Sequence, residues 1–216
     1  VVVGSDDRTS LAAFTELARS CALDAGWAAR MHADLVERHA EPHRRYHVLA
    51  HVDHVLRNLA LTAEGLSDDR ALRLAAWYHD AVYDPRAGDN EAASAALARA
   101  QLNIARAHPA LEADVVRLVL ATAGHRPEAD DERALCDADL AVLGASPEAY
   151  ERYRSAVRSE YGFLDDDTWR VGRAQVLRSL LDAPLFTTAA FADREAPARR
   201  NLSAELDALA GPSADG

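Results

Sequence analysis

The chain has 216 residues and a formal net charge of -11 at pH 7, with 35 acidic residues against 24 Lys and Arg. That length suits one large domain, or at most two small ones, with a full buried core. The acidic balance argues against non-specific nucleic-acid binding, which needs a basic footprint, but leaves room for a local cationic patch over a phosphate. Ala and Leu dominate, aromatic residues are only 6%, and β-branched runs are scarce beyond Val1-Val2-Val3, a balance that favours helix over strand. Cys21 and Cys136 match no zinc or redox spacing and read as two buried free thiols. No apolar run reaches transmembrane length and nothing resembles a signal peptide, so the expectation is a cytoplasmic protein with no membrane partner.

After a short extended start, Asp6 to Ser10 offers N-cap chemistry for a first helix over about Leu11 to Leu23. A second spans about Ala25 to His39. Both carry Leu, Ala and Val at helical spacing and read as scaffold, with His32 and His39 expected at the surface or as caps. Glu41-Pro42 stops the second helix. The next stretch, Tyr46 to Leu56, places His47, His51 and His54 at i, i+4 and i+7, with His43 one turn earlier. On a helix these rings share a stripe beside the apolar positions Leu49, Val52, Val55, Leu56 and Leu59. The spacing predicts an amphipathic helix ending near Glu64-Gly65.

Ser67-Asp68-Asp69 caps the following helix, which runs through Leu72 and Trp77 to His79-Asp80. A polar loop from Asp84 to Glu91 reopens as a helix to about His108. Another begins at Pro109 and is ended near Ala123 by Gly124-His125-Arg126-Pro127. An acidic loop then leads to Leu135-Cys136-Asp137-Ala138-Asp139-Leu140. Ser146-Pro147-Glu148 starts a helix carrying Tyr150, Tyr153 and Tyr161, and two more follow, about Trp169 to Leu181 and Asp193 to Leu209. Trp27, Trp77 and Trp169 read as core. No linker splits the chain, so residues 1–210 read as a single all-α bundle of eight to ten helices, followed by a disordered tail over 211–216.

Metal-binding residue types gather at helix ends. His51 lies mid-stripe, His79-Asp80 closes an apolar helix, and Asp139 sits inside an apolar run. A carboxylate among apolar residues is costly unless it is paired or holds a metal. Histidine with carboxylate makes a mixed N/O donor set suited to Mn, Fe, Co, Ni, Zn or Mg rather than to a thiolate-preferring ion.

His51, the pair His79-Asp80 and Asp139 resemble, in order and approximate spacing, the H…HD…D signature of the HD superfamily of metal-dependent phosphohydrolases. The flanking words resemble one subgroup, the predicted metal-dependent HD superfamily phosphohydrolases. They are Trp77 to Pro85, Asp89-Asn90-Glu91 with Ser94, Asp137-Ala138-Asp139-Leu140 with Leu143-Gly144, and Arg199-Arg200-Asn201-Leu202. The resemblance spans about Arg30 to Leu209. It implies a divalent metal held by His51, His79, Asp80 and Asp139, with His51 preferred to His47 or His54 and Asp139 to Asp137.

It also implies hydrolysis of a small phosphorylated metabolite or nucleotide by a metal-activated water. Charge on the phosphoryl oxygens is assigned to Arg44, Arg45, Arg86 or Arg126, and acid–base help to Glu91. His125 has three readings open: substrate phosphate ligand, second-metal ligand, or helix C-terminal cap. His47 and His54 remain further metal or substrate candidates. Two other classes stay open. A di-iron oxygenase of HD architecture needs two more histidines between His79 and Asp139, where only His108 and His125 occur. A non-enzymatic protein binding metal or a phosphorylated ligand is the other. A homodimer is expected on frequency alone.

Overall fold

The computed structural model describes residues 7–62 and 68–210. The expected extended start, Asp6, the helix end at Glu64-Gly65, Ser67 and the tail over 211–216 lie outside the described residues. Ten α-helices are present among the described residues, with no strand: α1 Leu11–Ser20, α2 Ala25–His39, α3 Leu49–Thr62, α4 Arg70–Tyr78, α5 Asn90–Ile104, α6 Pro109–Ala121, α7 Asp130–Leu140, α8 Pro147–Glu160, α9 Asp166–Leu181 and α10 Glu195–Ala210. The all-α expectation holds, and no described helix is long and apolar enough to cross a membrane. Both thiols are free and buried.

The organising element is α4. Six of its nine residues, Leu72, Leu74, Ala75, Ala76, Trp77 and Tyr78, are buried. A stretch apolar on all sides, as Leu74 to Tyr78 is, must lie inside, and α1, α3, α5, α6 and α7 all pack on this helix. Trp77 meets Phe14 of α1 edge-on, ring centroids 5.0 Å apart. The C-terminal end of α4 therefore opens in the middle of the molecule, where His79 follows as the cap residue. α3 packs along α7, bringing His51 opposite Asp139.

Helix starts follow the caps the sequence offers. Ser10, Asp24, Ser146 and Asp165 accept backbone N–H groups of the turns that follow them. Several boundaries differ from expectation. α1 stops at Ser20 because Ala22 turns left-handed at φ 54° and the Leu23 N–H closes on the Ala18 carbonyl. α5 stops at Ile104 before Arg106 at φ 58°, which frees His108 to cap α6 through its Nδ1. The acidic stretch before Leu135 is the first turn of α7, where Asp130, Asp131 and Glu132 meet the positive end of the helix. α9 opens three residues before Trp169.

The largest departure concerns the histidine stripe. α3 begins at Leu49, so His43 and His47 precede it, and only His51 and His54 share the helix. The cause is Glu160 at the end of α8. Its Oε1 accepts the N–H groups of Arg45, Tyr46 and His47 at 2.7, 2.7 and 3.0 Å, holding the segment in turns. His39 is buried rather than surface-exposed, with Nδ1 on the Leu35 carbonyl at 2.8 Å. His32 packs between Phe14 and Trp77.

The words flanking the ligand positions have structural work of their own. Ser94 Oγ accepts the Val82 N–H and donates to the Val82 carbonyl. Asn90 brackets Asp84 through its N–H and carbonyl. Asn201 donates to the carbonyls of Leu143 and Ala145. Gly144 lets the turn leading into α10 approach closely: a Cβ there would lie 2.7 Å from Arg194 Cβ. Asp137 is consumed by Thr187 and Thr188, whose backbone N–H and hydroxyl groups all donate to its carboxylate.

Candidate metal centre and its cavity

His51 on α3, His79 at the C-cap of α4 and Asp139 on α7 converge. Their ligand atoms lie within 4.8 Å of one another, a group that could hold a metal ion. The His51 and His79 Nε2 atoms are 3.0 Å apart. Asp139 Oδ1 is 3.0 Å from His51 Nε2 and 3.6 Å from His79 Nε2. Asp80 adds a second carboxylate, with Oδ2 at 3.0 Å from His79 Nε2 and 3.5 Å from His51 Nε2. The two imidazoles are buried and the two carboxylates partly so.

The tautomers follow from the backbone. His79 Nδ1 faces the Ala76 carbonyl at 3.0 Å, so it carries a proton and, in the neutral ring, leaves Nε2 with its lone pair toward His51. His51 Nδ1 is buried with no partner. Two facing ring nitrogens flanked by two carboxylates form a donor set with excess lone pairs. Burial disfavours charge on His51 and His79, yet Asp139 and Asp80 outweigh it and raise both pKa values. Burial likewise opposes ionisation of Asp80 and Asp139, and the facing histidines hold both well below the usual carboxylate range.

The loop after α6 supplies another imidazole. Gly124 at φ 73° and His125 at φ 50° turn the chain back, and His125 Nε2 reaches Asp139 Oδ2 at 2.9 Å. A left-handed conformation costs a non-glycine residue about 1–2 kcal/mol. This contact favours neither simple capping nor a free phosphate ligand: His125 holds the second oxygen of Asp139 while Oδ1 faces the ligand pair.

The cluster forms part of the wall of a cavity of about 640 Å³, the size of small-ligand sites. His47, His79, Asp80, Glu91, His125 and Asp139 line it from the α3–α7 side, and Tyr153, Val157, Trp169, Gly172, Arg173 and Val176 from α8 and α9. His47 donates from Nδ1 to Glu160 Oε2 at 2.8 Å, leaving Nε2 without a hydrogen bond. Tyr83 donates to the same oxygen at 3.0 Å.

The four arginines expected to face phosphate do not line this cavity. Arg44 is buried beneath it: Nη1 donates to the Asp80 carbonyl at 2.7 Å and to the His47 carbonyl at 3.1 Å, Nη2 to the Ala81 carbonyl at 3.1 Å, and Nε to Glu41 at 2.9 Å. It fastens the turn that presents Asp80. Arg45 is exposed and donates to the carbonyls of Pro42 and Arg44. Arg86 stacks over Phe163 with its guanidinium carbon 4.0 Å from the ring centre, and Arg126 is exposed. His54 lies off the cavity; burial pushes its pKa down to about 4 and its Nε2 has no partner. His108 is exposed at the α6 N-cap, so the extra histidine pair of a di-iron site is not assembled.

No family model, curated protein or solved structure matches the chain. The site therefore stands on its geometry. Glu160 and Arg173 are the residues sequence reasoning missed. The available signal was a charge on the apolar side of a helix: Glu160 follows Val157 by three positions, and Arg173 lies between Trp169 and Leu177.

Proposed function

We propose that the cavity is the active site of a metal-dependent phosphohydrolase acting on a small phosphorylated substrate. The carrying observation is the convergence of His51, His79, Asp80 and Asp139, the four positions of the H…HD…D order, with His79, Asp80 and Asp139 on the cavity wall and His51 buried against them. The donor set fits a divalent cation of the Mn, Fe, Co, Ni, Zn or Mg group. Facing nitrogens 3.0 Å apart and a partly buried carboxylate pair are better satisfied with positive charge between them.

A bound ion of this kind supplies a water ionised near neutral pH and polarises a phosphoryl oxygen. The chain's own residues do the rest. His125 keeps Asp139 oriented, and Arg44 keeps the Asp80 turn in place. The departing oxygen needs a proton. His47, whose Nδ1–H is taken by Glu160, would supply it from Nε2 in its imidazolium form, and Glu91 lines the same cavity as a second candidate.

Elemental analysis of protein purified without chelator, beside Asp139→Ala, tests this reading together with a panel of phosphate esters. The expected result is about one divalent ion per chain, lost in the variant, and metal-dependent phosphate release. Full metal content and turnover in Asp139→Ala would place the site elsewhere. Bound metal with no product across the panel would leave a binding protein.

A further inference from the structure

We infer that the substrate is an ester of a single phosphate group with an apolar alkyl or aryl body, and that this body lies against the cavity face of α9. The phosphate end rests on the phosphohydrolase reading; the apolar end rests on the cavity wall alone.

Charge excludes the polyphosphates. Among the described residues, Arg173 is the one Arg or Lys on the cavity wall. Its Nε and Nη2 donate to Glu205 at 2.8 and 3.1 Å, and Tyr150 donates to the same carboxylate at 2.5 Å. This buried guanidinium is already neutralised. His47 is held by Glu160 and His125 by Asp139. Beyond the cation that the histidine–aspartate cluster fits, the described residues of the wall carry no uncompensated positive charge, and Glu91 adds a negative one. A second or third phosphate would be buried without a counter-charge, which is unfavourable.

Shape selects the apolar body. Trp169, Gly172, Arg173 and Val176 recur at i, i+3, i+4 and i+7, so one face of α9 looks into the cavity. Val157 and Leu143 face it from other elements. Gly172 is mid-helix, where glycine is unfavourable. A Cβ built there would meet nothing within 4 Å. Its missing side chain is cavity space. Hydrogen-bonding groups on this face are few: Thr168 Oγ1 is bonded to Asp165 at 3.0 Å and Arg173 is bonded to Glu205, which leaves Arg173 Nη1 and the Trp169 indole N–H. A nucleobase, whose edges ask for several partners, would leave its own groups unmet. A hydrocarbon body would not.

The test uses Mn(II)-loaded full-length protein and its Gly172→Leu variant, which fills the space with a better helix former. The expected kcat/KM for naphthyl phosphate exceeds that for glycerol phosphate, adenosine monophosphate and adenosine triphosphate by about tenfold or more. Gly172→Leu should remove that advantage, keep glycerol phosphate within about twofold, and leave Tm equal or higher. Preference for the triphosphate or the nucleoside monophosphate, or an equal loss on all substrates, overturns the inference. If no ester turns over, calorimetry with naphthylmethylphosphonate against methylphosphonate decides. Tighter binding of the former, lost in Gly172→Leu, keeps the apolar subsite while the phosphohydrolase reading falls; equal binding removes the subsite as well.

Discussion

Two buried clusters of ionisable groups sit beside the same cavity and are built in opposite ways. Around Glu160, each partner contributes a proton that the carboxylate accepts: three backbone N–H groups, the His47 ring and the Tyr83 hydroxyl. Around His51 and His79, acceptors outnumber donors. Two ring nitrogens face each other, two carboxylates flank them, and one buried Nδ1 has nothing to bond. A network satisfied by its own chain holds structure together. One that crowds ring nitrogens and carboxylates together could hold a metal ion.

The sharpest way to break this contrast is to truncate one member of each cluster. His79→Ala or Asp80→Ala should abolish bound metal and lower any turnover by about a thousandfold or more, with helical content kept by circular dichroism. Adding the metal should raise Tm in the parent and not in these variants. Retained metal and full turnover would sink the proposed site. Glu160→Ala should cost about 3–5 kcal/mol in urea denaturation, equally with and without metal, because it strands three backbone donors and His47. A metal-dependent loss there would merge the two clusters into one.

The fold was legible where local chemistry decides. Ser10 and Ser146 cap the helices expected of them, and the apolar helix expected before His79-Asp80 is present as α4. The order of His51, His79-Asp80 and Asp139 was readable, and the structure draws them together. What was not readable depended on distant partners. Glu160, more than a hundred positions away, decides that His43 and His47 sit in turns rather than on the α3 stripe. Arg44 looked like a phosphate ligand because charge next to a histidine word suggests a site. Its direction is set by the Asp80 and Ala81 carbonyls, which no local pattern reveals. Arg173 was hidden for the same reason: its partner Glu205 lies on another helix.

Acid lowers stability through two buried groups in different pH windows. Glu160 is held down to about 2 despite burial, by His47 and the backbone N–H groups around it. A depressed carboxylate stabilises the fold above its unfolded value near 4.5, and that contribution, about 3 kcal/mol, disappears as pH falls from there through 2. Glu160→Gln should flatten this part of the curve. His39 acts at higher pH. Burial holds its pKa near 4, so the unfolded chain takes up a proton below about 6.5 while the folded one does not, and stability falls between 6.5 and 4. His39→Leu should remove that slope, and an unchanged slope would show the imidazole to be solvated.

The smallest expected effect distinguishes charge near the site in sequence from charge near it in space. Arg126 adjoins His125 but is exposed and off the cavity, whereas Arg44 is buried against the Asp80 carbonyl. Arg126→Ala should change stability by no more than about 0.5 kcal/mol and kcat/KM by no more than about twofold. Arg44→Ala should lower metal affinity, read by calorimetric titration, because the Asp80 turn loses its clamp. A tenfold loss in Arg126→Ala would mean that the loop carrying His125 closes over bound substrate, and that positive charge enters the cavity from its mouth rather than from its walls.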